Sequence, residues 1–442
     1  MKRPDLFLAT LLVFGLALRL FLAPYSAGSD ITQFYGFAGT MLQHGACFYS
    51  YADAVGFSTK GWPYPWPYVY GPVMAYMLAG IRALVGGWVE TFWSGGVYHV
   101  YVDPTWAFSV KMTFIVADVI VAFFIYSLLK SRGERRAIFG AALYYLNPMV
   151  IHVSSIYGMF DGLALLFFLL AIHLERREYL SPLLAGFSLS VKHTLLFPAA
   201  VLLWDWLLKG RKGIRRAVLF LAGIALPFVP MLLLCPSSLS AVPKLLRGMN
   251  ITYPVPVAYS MNGISSLATY LHKTEGLETI ALIHNWYIPA AVLLALILLR
   301  HAFRRDVIVS TALAYAVFTA TYWRVNPQYL LPLAAFLVLL AFPSRTHLPR
   351  SVRLLSALTT VYLGLWPILQ PTEFWFQVHM KNPNWAVVHI VDVFTLGVHD
   401  ERIYVGYSLI LTTLLYLIVF SATLPYLKNL KAWLSERVRV SA

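Results

Sequence analysis

Apolar runs that are long enough to cross a lipid bilayer recur along the whole chain, and short basic segments separate them. The first run, Leu6–Leu22, is followed by others that include Ala107–Leu129, Ala217–Leu234 and Ile403–Leu424. Only 12% of the residues are charged, which is about half the share in a soluble protein. The sequence therefore predicts an all-α polytopic membrane protein. We expect Leu6–Leu22 to be a retained first span, because no small-residue cleavage site stands before Ser29.

The net charge of +15 is distributed in a way that argues against a nucleic-acid partner. Lysine and arginine are concentrated between the apolar runs, as the positive-inside rule describes for cytoplasmic loops. Placing every basic segment inside predicts about twelve spans, both termini in the cytoplasm, and large outer loops at residues 25–106, 235–285 and 369–402. The basic segments are Lys2-Arg3, residues 130–136, 175–178, 209–216, 300–305 and 345–353, and the C-terminal tail.

Two pairs of short apolar segments are expected near the outer face. Ile31–Gln43 and Pro72–Val85 are predicted to be helices that lie along the membrane surface within the first outer loop. Pro182–Val191 and Leu195–Leu207 are predicted to form a hairpin with Lys192 and His193 at its outer tip. Both limbs are shorter than the roughly 20 residues of a normal span. Such short helices are tolerated where they line a cavity inside the protein.

The predicted outer turns collect polar residues that membrane spans usually avoid. Ionisable groups near membrane depth are candidate functional groups. A carboxylate and several cations next to an apolar surface suit a reaction on an anionic lipid. The candidates are Asp30, Asp161, Lys192, His193, Arg247, Arg324, Asn326 and Gln328.

Each principal candidate also has a structural alternative. Asp30 is a candidate catalytic base or the N-cap of the helix Ile31–Gln43, two roles that are compatible, and Asp161 is either functional or the cap of Gly162–Leu174. Lys192 either binds phosphate or extends its ammonium to the interface along apolar surface. Arg324 either contacts substrate or anchors a span beside Tyr322 and Trp323.

The aromatic and proline-rich run at residues 61–72 has two interpretations. Tyr64 and Trp66 either anchor the loop at the interface or form a stacking wall for a sugar. No histidine spacing indicates a metal site, so neither a metal nor another cofactor is expected. Cys47 and Cys235 are far apart in the sequence and do not define a disulfide framework.

Several segments resemble the GT-C glycosyltransferases. They are the aspartate after the first span, VKMTFIVADVIVAFFIY at 110–126, LNPMVIHVSSIYGMFDGLALLFFLLAI at 146–172 and GFSLSVKHTLLFPAAVLL at 186–203. These segments are similar to the dolichyl-phosphate-glucose-dependent glucosyltransferases of N-glycan assembly, and more loosely to the GPI and archaeal mannosyltransferases. The resemblance covers residues 1–210 as one module. Residues 211–442 form a variable transmembrane module, in which the resemblance is limited to residues 247–250 and 325–333.

The resemblance implies a GT-C fold and an inverting transfer of mannose or glucose on the outer membrane face. The donor would be a polyprenyl-phosphate hexose, and the acceptor would be a lipid-linked glycan or glycolipid. Membrane lipids would surround the protein as further partners. By the resemblance, Asp30 would be the base, Lys192 would contact the donor phosphate, and Arg247 would be a second phosphate contact. His193, beside Lys192 in the sequence, is a further candidate for the phosphate. The remaining candidates, Asp161, Arg324, Asn326, Gln328, Tyr64 and Trp66, would contact the sugar or the acceptor. The glucosyltransferases have a His-Glu pair where this chain has Asn326-Pro327, which leaves the hexose open.

The alternative function is a carrier or flippase for lipid-linked sugars. A carrier predicts charges near the bilayer midplane and related halves of the chain. This sequence has few charges at depth, Arg19 and Asp118 being the exceptions, and no visible repeat. The enzyme is therefore the preferred hypothesis.

Overall fold

Helices account for nearly all of the regular structure, as the long apolar runs predict. The computed structural model describes residues 3–52, 67–94, 97–243, 260–343, 348–369 and 380–441. Within these ranges the longer helices are Arg3–Leu22, Ser29–His44, Pro72–Val85, Pro104–Leu129, Glu134–Tyr145, Asp161–His173, Leu180–Val191, Leu196–Leu207, Arg211–Ala225, Gly263–Glu275, Tyr287–Arg304, Val307–Thr321, Leu330–Ala341, Arg350–Leu363 and Glu401–Ser441.

Shorter helical segments bend or connect these elements. The short α-helices are Pro148–Ile151, Val229–Leu234, Pro236–Leu239, Ile280–His284, Leu365–Leu369 and Trp385–Asp392. The 3-10 segments are Ala23–Tyr25, Gly45–Tyr51, Lys130–Arg132, His193–Leu195, Leu226–Phe228 and Pro327–Tyr329, and His152–Tyr157 is a π-helical turn.

The protein is an all-α membrane protein with long apolar helices. In the described part of the chain, six helices are long and apolar enough to cross a bilayer. A seventh candidate is the pair Glu134–Tyr145 and Pro148–Tyr157, which is bent by 49°. The six candidate spans are Leu6–Tyr25, Pro104–Leu129, Arg211–Leu234, Ala281–Arg304, Arg350–Leu369 and Glu401–Tyr426.

One antiparallel hairpin departs from the helical prediction. Val89–Ser94 pairs with Val97–Val102, with Val89 opposite Val102. Both strands are rich in β-branched and aromatic residues, which favour pleated structure, and the sequence has two glycines between them. This turn signal could have been recognised from the sequence.

Two buried and mostly apolar helices form the centre of the core. Every residue of Leu330–Ala341 is buried, and so is nearly every residue of Val307–Thr321. A helix that is apolar on all sides belongs in a protein core or in lipid, and here Leu196–Leu207 and Glu401–Ser441 pack against Val307–Thr321. The turn between the two central helices is therefore held by the core, and it carries three of the candidate site residues.

The predicted short hairpin is only partly correct. The chain breaks at Lys192 as expected, between Leu180–Val191 and the 3-10 turn His193–Leu195. The two limbs pack mainly against different neighbours, however, because Leu180–Val191 lies between Asp161–His173 and Arg211–Ala225. Lys192 is only 1% exposed, so its side chain is buried within the protein, and its position at the outer end of the hairpin stays a prediction.

Candidate functional site

Four of the predicted residues line one cavity. Asp30 comes from the start of helix Ser29–His44, and Arg324, Asn326 and Gln328 come from the turn between the two central helices. The cavity has a volume of about 260 Å³, slightly below the roughly 300–1,000 Å³ of small-molecule sites. The other residues that line the cavity are Gln33, Phe37, Pro67, Val69, Tyr70, Tyr157, Tyr322, Pro327 and Tyr329.

The side chain of Asp30 does not cap a helix, so the capping alternative is wrong. The helix begins at Ser29, its N-cap is Gly28, and Asp30 is the second helical residue. Aspartate in a first turn is favoured by the positive end of the helix dipole. The carboxylate is thereby available to the cavity, which it lines.

Tyr157 holds the Asp30 carboxylate in place. Its hydroxyl donates a hydrogen bond to Asp30 Oδ2 over 2.8 Å. Tyr157 is the last residue of the π-helical turn, and Gly158 follows with a φ of 83°, a conformation that favours glycine. The amide of Gly28 donates to the Tyr157 carbonyl over 3.1 Å. A Cβ at Gly28 would lie 2.4 Å from the Tyr157 ring, so glycine is required for this approach.

The environment raises the pKa of the Asp30 carboxyl above its ordinary value. The main cause is burial, which disfavours the charged form. The hydrogen bond from Tyr157 and the positive charges of Lys192 and Arg324 act in the opposite direction. A carboxylate whose pKa lies closer to neutral is a better general base at physiological pH.

Lys192 and Asp161 form a buried ion pair behind the cavity wall. Lys192 Nζ donates to Asp161 Oδ2 over 2.6 Å, and both side chains are at most 1% exposed. The ammonium lies over the rings of Phe160, Tyr329 and Tyr70, at 4.5, 5.2 and 5.7 Å from their centroids. Tyr70 and Tyr329 line the cavity, whereas Lys192 does not.

This pairing corrects two of the structural alternatives. The Lys192 ammonium does not extend to the interface, because it is buried and bound to Asp161. Asp161 does not cap its helix, whose N-cap is Phe160. Phosphate binding by Lys192 stays a prediction. Among the described residues that line the cavity, Arg324 is the cation.

Three carboxamides and an aromatic wall complete the described surface of the cavity. Gln33 was not predicted, although it stands one helical turn after Asp30 and therefore shares its face. Gln328 is 5% exposed, and its Oε1 atom has no hydrogen-bond partner in the described part of the protein. Burial raises the pKa of Tyr70 well above its usual range, so its hydroxyl remains a donor. Amides and aromatic faces together suit a hydroxyl-rich ligand.

Lys111 is a buried cation that sequence reasoning missed. Its ammonium donates to the carbonyl of Ala23 over 3.0 Å, to the hydroxyl of Ser26 over 3.0 Å, and to the Ser26 carbonyl. These acceptors follow the first helix, where unsatisfied carbonyls attract a cation. Lys111 therefore fixes the connection that leads from the first helix to Asp30.

The other predicted site residues do not reach this cavity or cannot be placed. His193 is half-buried beside Lys192, and it does not line the cavity. Arg247, Tyr64 and Trp66 lie outside the described residues. Their predicted contacts with phosphate, sugar or acceptor stay predictions.

A disulfide joins Cys47 and Cys235, a pairing that two cysteines far apart in the sequence did not define. Cys47 lies in the 3-10 segment after helix Ser29–His44, and Cys235 directly follows Val229–Leu234. Tyr49, two residues after Cys47, donates to the carbonyl of Tyr70 over 2.8 Å. The disulfide therefore tethers a segment that supports the cavity wall at Tyr70.

Among the described residues, no three histidine, cysteine, aspartate or glutamate side chains are grouped as a metal site. The expectation that no metal is needed stays a prediction. No protein-family model matches this chain, and a search of curated proteins found no match.

Proposed function

We propose that this protein is an inverting glycosyltransferase that uses a polyprenyl-phosphate hexose as donor and a lipid-linked glycan or glycolipid as acceptor. The observation that carries the proposal is the Asp30 carboxylate, which lines the cavity, accepts from Tyr157 and faces the same space as Arg324. A base and a cation around one polar cavity are the two groups that this transfer needs.

In the proposed reaction, the acceptor hydroxyl attacks the anomeric carbon of the hexose. The new carbon–oxygen bond forms as the bond from that carbon to the phosphate oxygen breaks, and Asp30 receives the hydroxyl proton. General base catalysis of this kind typically contributes about 10²–10⁴-fold. The lipid phosphate leaves as a stable anion, so no general acid is required. A direct displacement without a glycosyl-enzyme intermediate inverts the anomeric centre.

Arg324 is assigned to the leaving phosphate because it lines the cavity with Asp30. A guanidinium presents several donors in a plane and suits phosphate oxygens. Preorganised cations that meet developing negative charge lower the barrier. Lys192 lies close enough for its charge to lower the Asp30 pKa, and a direct phosphate contact by Lys192 requires it to leave Asp161.

The proposal includes the GT-C architecture with about twelve spans. The seven candidate spans and five of the shorter apolar helices would give this number, with Pro72–Val85 on the surface. The disulfide supports an extracytoplasmic position for the cavity, since disulfides persist in oxidising compartments. Both termini would then be cytoplasmic.

A carrier or flippase is the alternative function. The two charges expected at membrane depth are paired with each other, because Arg19 Nε lies 3.4 Å from Asp118 Oδ2 and both side chains are buried. Arg19 also donates to the carbonyl of Tyr145 over 2.7 Å. These contacts account for both groups structurally, and neither residue lines the cavity. This favours the enzyme.

The test is transfer of labelled hexose from a panel of polyprenyl-phosphate hexoses to lipid acceptor by the purified protein. Asp30→Asn should lose at least about 10²-fold in rate. Asp103→Asn is the matched control, because Asp103 caps helix Pro104–Leu129 through Thr105 and asparagine is an equally good cap. Full activity of Asp30→Asn would remove Asp30 from the mechanism, and movement of the labelled lipid without transfer would favour the carrier.

A further inference from the structure

A second groove lies beside the first helix, far from Asp30. It is an open groove lined mainly by residues of helices Arg3–Leu22 and Glu134–Tyr145, and it has a volume of about 1100 Å³. It includes Phe7 on the first helix. From Phe7 to Leu22 the helix rises by about 22 Å at 1.5 Å per residue. The groove and the candidate active site are therefore at opposite ends of this helix.

The walls of this groove are apolar over most of their length. Phe7 and Phe139 flank it, and each exposes 59% of its surface. Such exposure of a large apolar side chain is expected where hydrocarbon replaces water. An acyl chain matches the apolar chemistry of this surface. The apolar lining residues are Phe7, Leu11, Ile138, Phe139, Ala142 and Leu146.

One end of the groove is positively charged. Arg135 and Arg136 line it and are exposed, and neither guanidinium has an ion-pair or hydrogen-bond partner within the described residues. Glu134 also lines the groove, and its carboxylate accepts from the Tyr126 hydroxyl over 3.3 Å. The N-terminus of helix Glu134–Tyr145 is at this end, with Gly133 as an N-cap that has no side chain, and its dipole also favours an anion.

We propose that this groove binds one anionic phospholipid. The acyl chain occupies the apolar length between the two helices. The phosphate lies at Arg135, Arg136 and the helix N-terminus. The chemistry of the two ends selects this occupant, because an apolar chain alone does not need the arginines and a soluble anion does not need the apolar walls. The site is independent of hexose transfer.

The test is lipid binding to the full-length purified protein, measured by native mass spectrometry after titration with phosphatidylglycerol or phosphatidylcholine of the same chain length. The wild type should bind one phosphatidylglycerol more tightly than phosphatidylcholine. In the variant R135Q/R136Q the affinity for phosphatidylglycerol should fall by about 30-fold, which equals about 2 kcal/mol, as expected for two arginines near an anionic headgroup.

The matched control is R350Q/R353Q. These arginines are exposed at the start of helix Arg350–Leu363, and they do not line the groove. The control variant should keep the wild-type affinity. A third variant, Ala142→Phe, fills the groove without changing charge and should also reduce binding.

Equal wild-type affinity for both lipids would overturn the proposal. An equal loss in R135Q/R136Q and R350Q/R353Q would also overturn it, because it would reflect general surface charge. If R135Q/R136Q does not fold, the comparison of the two lipids on the wild type and the effect of Ala142→Phe still decide the question.

Discussion

Replacing Tyr157 by phenylalanine should move the pH dependence of hexose transfer while leaving the carboxylate base in place. The Tyr157 hydroxyl donates to Asp30 Oδ2, and this bond stabilises the ionised carboxylate. Burial already raises the pKa of Asp30, and loss of the donor raises it further. Because the base must be ionised, the rate rises as the pH increases through this pKa. The acidic limb of the pH–rate profile therefore moves to higher pH in Tyr157→Phe.

The size of the displacement follows from the hydrogen bond. A hydrogen bond to a charged group contributes about 1.5–3 kcal/mol. Asp30 faces the cavity, where water replaces part of the lost interaction, so the lower end of this range applies. At 1.36 kcal/mol for each pKa unit, the acidic limb should move by about 1 pH unit. Above that limb, the maximal rate should stay close to that of the wild type.

The assay is the initial rate of transfer as a function of pH at saturating donor and acceptor. Tyr404→Phe is the matched control, because the Tyr404 hydroxyl also donates over 2.8 Å, to the carbonyl of Val398, and lies outside the cavity lining. The control should keep the wild-type profile. An acidic limb in Tyr157→Phe that stays in place, or moves to lower pH, would refute the assignment of Asp30 as a base tuned by Tyr157.

Three further predictions concern stability, measured by thermal unfolding of the purified protein. Lys192→Met should destabilise it by about 3–5 kcal/mol, because Asp161 is left as a buried unpaired charge, and adding Asp161→Asn should recover part of this loss; additive effects would contradict the pairing. Gly28→Ala should destabilise the protein through the clash with the Tyr157 ring, whereas Gly80→Ala has open space and should be neutral or stabilising. Cys47→Ser should cost about 2–4 kcal/mol, and an unchanged melting temperature would argue against the disulfide.

The residues of the cavity were predictable where they stand at the end of an apolar run. Asp30 directly follows the first span, and Arg324, Asn326 and Gln328 lie in a short turn between two apolar segments. The predicted topology places these ends on one side of the membrane, and the packing of the helices brings them to one cavity. Gln33 could also have been predicted, since it is three residues after Asp30 on a helix.

The partners of these residues could not be predicted in the same way. The contact of Tyr157 with Asp30 depends on a π-helical turn. Such a turn contains one residue more than an α-helical turn, and no periodicity in the sequence indicates it. Lys192 and Asp161 were both candidates, but their pairing depends on how Leu180–Val191 packs beside Asp161–His173. Each was interpreted separately, Lys192 as a phosphate ligand and Asp161 as either a helix cap or a contact to the sugar or the acceptor, because a sequence does not specify which opposite charges meet in the core.

The bond between Cys47 and Cys235 has a consequence for the order in which the protein assembles. The two cysteines are 188 residues apart, and a chain is synthesised from its N-terminus. Cys47 therefore cannot pair with Cys235 while the intervening helices are being made and inserted. The segment that supports Tyr70 is tethered only when Cys235 reaches the same compartment. A ribosome-bound chain that stops before residue 235 should still expose Cys47 to a thiol-labelling reagent, and the finished protein should not.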